Sequence, residues 1–134
     1  MMSEKSNKSS QYLELIKIGI NEAKKGNYAK SRQCFLDCIN LDKFNFEAYV
    51  NLSNIYILEK NFNEAIVLLK NYTNIYKYKK EILSHICKIY TNYFSTDLAV
   101  NYLKDLEKSD KKNYNNRYYL FFLIGLNLSN IDKN

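Results

Sequence analysis

The chain has 134 residues, 46% of them hydrophobic and 25% charged, with a net charge of +6. That balance is one of a folded chain and excludes a disordered one; the length allows one elongated core but not two independent ones. There is no Pro and only three Gly, so the turn punctuation of a strand-rich fold is missing and helices joined by tight turns are expected.

Residues 1–11, MMSEKSNKSSQ, are polar and contain no apolar run of the signal-peptide kind; they read as a flexible tail. The periodic part begins at Tyr12. Sliding the sequence so that Tyr12 falls on Phe46 and Phe46 on Lys80 aligns Tyr12–Asn45, Phe46–Lys79 and Lys80–Asn113 without a gap, and a partial copy starts at Tyr114.

Within each copy a first helix is expected from apolar or small residues at the 3–4 spacing of an amphipathic stripe. Position 7 is Ile18, Leu52, Ile86 and Leu120; position 8 is Gly19, Ser53 and Cys87; position 11 is Glu22, Tyr56 and Tyr90. A second helix follows, with Ser31, Ala65 and Ala99 at position 20 and Phe35, Leu69 and Leu103 at position 24. Small residues at positions 8 and 20 let the two backbones approach. Asn27, Asn61 and Ser95 at position 16 are expected to cap the second helix by accepting from an orphan amide.

After the third copy comes NYNNRYYLFFLIGLNL, predicted as a terminal helix. Leu120, Phe121 and Ile124 suffice to pack it on the preceding hairpin. Tyr118, Phe122 and Leu126 then point elsewhere, and an apolar surface all round has to be covered. A homodimer through this helix is the expectation, or else more chain beyond it. Its apolar stretch is far shorter than the ~20 residues that span a bilayer, so no transmembrane segment is predicted.

These columns resemble the tetratricopeptide repeat family, over residues 12–113 as three repeats (12–45, 46–79, 80–113) with 114–134 as a terminal capping or solvating helix and tail. The second copy matches best, with Tyr49, Leu52, Ser53, Tyr56, Phe62, Ala65 and Leu69; the first keeps Gly19, Gly26, Tyr28 and Phe35. The departures are Lys43, Lys77 and Lys111 where the family has Pro, Tyr72 and Leu106 where it has a small residue, and Thr96 where it has an aromatic. The resemblance implies an all-α fold, three helix-turn-helix hairpins plus a terminal helix in a right-handed superhelix, and a protein–protein interaction role as a scaffold or adaptor.

It also implies a concave groove lined by the first helices. At the ligand-facing positions stand Lys17, Lys24, Asn51, Asn54, Ser84, His85, Lys88 and Asn92. Such a surface is amide-rich and mildly basic, suited to an extended peptide or partner helix of acidic character. The carboxylate clamp of the family's co-chaperone members is not expected, because its positions hold Ile16, Ile20, Asn51, Glu81 and His85, and only Asn51 fits.

No other chemistry competes. His85 is the single histidine and has no nucleophile or carboxylate pattern around it. Cys34 and Cys38 are four apart but lack a second ligand pair, and with Cys87 they form an odd set that reads as packed, reduced thiols. The three glycines are isolated, so there is no phosphate loop. No catalytic residue, cofactor or metal is predicted. Eighteen Lys against two Arg, beside nineteen Asn, argue against nucleic acid, for which Arg is the favoured contact. A cytoplasmic interaction module is the leading reading. An accessory segment of a larger enzyme is the alternative, and a basic RNA- or membrane-surface binder comes after it.

Overall fold

A computed structural model describes residues 2–76 and 80–109. They form six helices: α1 (Met2–Lys24), α2 (Tyr28–Leu41), α3 (Phe46–Leu58), α4 (Phe62–Tyr76), α5 (Lys80–Tyr93) and α6 (Thr96–Ser109). No strand occurs among the described residues, so the chain is all-α there. Tyr28, Phe62 and Thr96 open α2, α4 and α6 at even intervals, and the same interval separates Phe46 from Lys80, which open α3 and α5. The polar stretch expected as a tail is helical from Met2, continuous with α1; it contains no Gly or Pro to stop a helix.

The packing divides the chain into two compact units, Met1–Tyr78 and Lys79–Asn134. A hairpin buries most of its apolar face against its near neighbours, so a core built of hairpins can be partitioned along the chain.

In the first unit α1 packs on α2, α3 on α4, and α2 and α1 on α3. Tyr12, Ile16, Phe35, Cys38, Ala48, Leu52 and Ile55 form its buried cluster. The close approach of α1 and α2 is set by small residues, as the columns require. Ser31 is fully buried, and its hydroxyl donates to the Gly19 carbonyl at 2.6 Å. A Cβ on Gly19 would lie 2.6 Å from Cε1 and 2.8 Å from Cζ of Phe35, so only glycine fits against that ring. In the second hairpin Ala65, Leu69 and Tyr72 are the buried residues of α4 that carry the same columns.

Tyr72, the departure from a small residue, is accommodated by the turn between α2 and α3. Its ring packs on Tyr49 (4.8 Å between centroids), and its hydroxyl donates to the Phe44 carbonyl at 2.8 Å. That turn has Lys43 in place of a proline. It is held by side chains instead: Asp42 Oδ1 accepts from the Phe44 amide and Asn45 Oδ1 from the Glu47 amide, both at 3.1 Å. The Arg32 guanidinium on α2 reaches the Glu59 carboxylate after α3, 2.9 Å away.

The turns inside the two hairpins share one geometry. After α1, the Gly26 amide donates to Ala23 O and the Asn27 amide to Glu22 O, with Gly26 at φ 82°. After α3, the Lys60 amide donates to Ile57 O and the Asn61 amide to Tyr56 O, with Lys60 at φ 63°. Both are paired-bond helix stops around a left-handed residue, glycine in one case and lysine in the other.

The predicted caps divide. Ser95 Oγ accepts from the Leu98 amide at 3.3 Å. Asn27 makes no side-chain cap bond; its Nδ2 donates to Glu22 Oε2 at 2.8 Å. The buried carboxylate needs donors more than the exposed start of α2 needs an acceptor.

In the second unit α5 packs on α6. Ile82, Leu83, Ile86, Cys87 and Ile89 of α5 and Ala99, Leu103 and Leu106 of α6 are buried, and the Tyr90 ring meets Phe94 edge-on and Tyr102 at a tilt, each 6.0 Å between centroids.

Candidate functional site

The surface the sequence nominates lies on the first helix of each hairpin. On α1, Tyr12, Ile16, Gly19 and Glu22 are buried, which turns Leu13, Lys17, Ile20 and Lys24 outward at 4-3-4 spacing, along a single stripe. Lys17 and Lys24 are exposed. Beside them on the stripe Leu13 is 55% exposed and Ile20 38%. On α3, Asn51 is half-buried and Asn54 exposed, and Leu58 at the end of the same stripe is 54% exposed. In the second unit Ser84 and His85 are half-buried, and Lys88 and Asn92 are exposed. The nominated residues therefore belong to two units: Lys17, Lys24, Asn51 and Asn54 to the first, Ser84, His85, Lys88 and Asn92 to the second. Tyr118, Phe122 and Leu126, nominated for self-association, lie outside the described residues, as does the terminal helix expected to carry them.

The exposed apolar residues of the stripes, Leu13, Ile20 and Leu58, are missing from the nominated set because lysines and amides announce binding more plainly. Their signal is present in the sequence: they stand on the same stripes as Lys17 and Asn54.

A cavity of about 320 Å³ opens where α1, the α2–α3 turn and α3 meet, lined by Lys8, Ser9, Tyr12 and Leu13 on one side and Leu41, Asp42, Asn45 and Glu47 on the other. The stripe on α1 thus runs from two lysines, which suit an acidic group, to a hollow bordered by Asp42, Glu47 and Lys8.

Burial shifts several of the remaining titratable groups. Burial, and then the nearby Lys88 charge, push the His85 imidazole below its ordinary value, so it is neutral at neutral pH and adds no cation to the surface. The three cysteines are free and buried. Burial raises the Cys38 thiol to about 11 and the Cys87 thiol to about 12, and it raises Cys34 as well, with the Asp37 charge adding to it. Thiols so protonated are poor nucleophiles and poor metal ligands, and no group of three or more His, Cys, Asp or Glu fit to hold a metal occurs among the described residues. The Glu22 carboxylate is held by several groups: the Asn27 amide, outweighing the opposing effect of burial, lowers it below the usual range, with Lys30 and Lys25 adding to this from 3.6 and 3.8 Å. It joins the end of α1 to the start of α2 and has a structural task. No described helix is long and apolar enough to cross a membrane.

No protein-family model matches the chain, and no curated protein matches it.

Proposed function

We propose that this chain is a tetratricopeptide-like interaction module, a right-handed superhelix of three hairpins and a terminal helix, which holds a peptide or partner helix on its first helices and catalyses nothing itself. The observation that carries this reading is the equal spacing of α2, α4 and α6 together with the burial of the same columns in each: Ser31, Ala65 and Ala99, then Phe35, Leu69 and Leu103. A chain that repeats one hairpin leaves one helix face per hairpin turned outward in register, and such faces make extended binding surfaces.

The partner this surface fits is acidic and amphipathic. On the first unit Lys17 and Lys24 meet carboxylates, Asn51 and Asn54 bond the partner's backbone, and Leu13 and Ile20 take apolar side chains; on the second unit Lys88 and Asn92 offer the same polar groups. Free cysteines support a reducing compartment, and the reading assigns the module to the cytoplasm.

The test is affinity capture from the source cell with the intact chain and with Asn51→Ala/Asn54→Ala/Lys88→Ala, followed by measured binding of the captured partner's segment. Surface changes of this kind shift stability by only about ±0.5 kcal/mol, so the melting temperature should hold while binding falls. A partner that binds the triple variant as tightly as the parent chain refutes the assignment of this face.

A further inference from the structure

The face by which the second hairpin packs on the first has a counterpart on α1 that no described element covers. In α3, Ala48, Leu52 and Ile55 are buried in the core shared with α1 and α2. The corresponding positions one repeat earlier are Glu14, Ile18 and Asn21 of α1. Glu14 and Asn21 are exposed, and Ile18 is 37% exposed where Leu52 is wholly buried.

A groove of about 480 Å³ opens at this face between α1 and α2. Its apolar lining is Leu15, Ile18 and Leu41, its charged lining is Glu14 and Asp37, and no lysine or arginine among the described residues borders it. Two carboxylates without a cation are notable in a chain of net charge +6. Asp37 accepts from Gln33 Nε2 at 2.9 Å, a bond that leaves its charge intact. The volume falls within the ~300–1,000 Å³ of ordinary ligand pockets, but the corresponding face of α3 packs against helices, and the groove runs between two helices.

We propose that this outer face of the first hairpin docks a basic amphipathic helix of a partner protein, its apolar side chains on Leu15, Ile18 and Leu41 and its Lys or Arg on Glu14 and Asp37. Glu14 and Asn21 stand where α3 has Ala48 and Ile55, so the face is built wet rather than as half of a sealed core. The contact is therefore exchangeable and weakens with salt. This site is separate from the inner face of the first helices and does not rest on that reading.

The experiment uses two synthetic helical peptides with one leucine pattern, flanked by Lys in one and by Glu in the other, titrated into the full chain by fluorescence anisotropy. The Lys peptide should bind at least ~10-fold tighter, with affinity falling as salt rises. Glu14→Lys/Asp37→Lys should reverse the preference, and Ile18→Asp should abolish both interactions with the circular dichroism spectrum unchanged. Asn51→Ala/Asn54→Ala/Lys88→Ala should leave peptide binding as it was. Equal affinity for the two peptides, or a preference that the double variant does not change, overturns the proposal. So does a parent chain that sediments as an oligomer and becomes monomeric on Ile18→Asp, since the face would then belong to a second copy.

Discussion

Gly19→Ala sets two effects of known sign against each other. In an exposed helix interior the change would stabilise by about 0.8–1.0 kcal/mol, the difference in helix propensity. Here the new methyl would stand 2.6, 2.8 and 3.1 Å from three carbons of the Phe35 ring, against the 3.5–4.0 Å of an ordinary carbon contact. Phe35 is 1% exposed and has nowhere to swing. The helices would have to part, which also stretches the 2.6 Å bond from Ser31 to the Gly19 carbonyl. Overpacking of this kind costs roughly 1–3 kcal/mol, so the net expectation is a loss of up to about 2 kcal/mol. With a urea m-value of about 2 kcal/mol per M, the midpoint falls by up to about 1 M. Urea unfolding followed by far-ultraviolet circular dichroism measures it. Phe35→Leu removes the obstructing ring atoms, so the double variant should show a favourable coupling of about 1 kcal/mol. A midpoint that rises in Gly19→Ala alone would mean that α1 and α2 do not approach as described.

Three further outcomes follow from named contacts. Lys60 adopts a left-handed conformation at φ 63°, so Lys60→Gly should raise stability by about 1 kcal/mol, and Gly26→Lys should lower it by a similar amount since only the backbone objects there; thermal melts of both decide it. The folded Glu22 carboxylate is lowered by Asn27, Lys30 and Lys25; a depressed carboxylate stabilises above its unfolded value of about 4.3 and loses that stabilisation as pH falls through the folded one. Glu22→Gln should therefore flatten the acid limb of the stability profile, and an unaltered limb contradicts the ion group. With Cys38 at about 11, Cys87 at about 12 and Cys34 also raised, a thiol reagent at neutral pH should label the chain only once denaturant is added, and rapid labelling of the native chain would contradict the burial.

The helices and their spacing were legible because an apolar stripe recurring once per repeat fixes the register of each hairpin. Ser31, Ala65 and Ala99 could be read as contact points from size alone. Single side-chain choices were harder to read. Asn27 has the chemistry of a cap, but the buried Glu22 beside it claims its amide, a competition that only the fold creates. Tyr72 looked like a misfit until the turn at Phe44 supplied an acceptor for its hydroxyl. Ile18 shares a column with the buried Leu52 and yet is exposed, because periodicity reports which face a residue is on and not whether anything covers that face. For the candidate surface, polar residues drew attention and Leu13 and Ile20 beside them did not, since an apolar residue on a helix is ordinarily taken for core.

The turn from α2 to α3 has a mechanical consequence. Where a proline ring would stiffen a connection covalently, this one is held by Asp42, Asn45 and the Tyr72 hydroxyl reaching back 28 residues to Phe44. Each such bond contributes about 0.5–1.5 kcal/mol, one to a few times the thermal energy. The joint therefore behaves as a latch with a finite spring constant rather than a weld. Under tension along the chain it should open before either hairpin unravels, and Tyr72→Phe should lower the force at which it does.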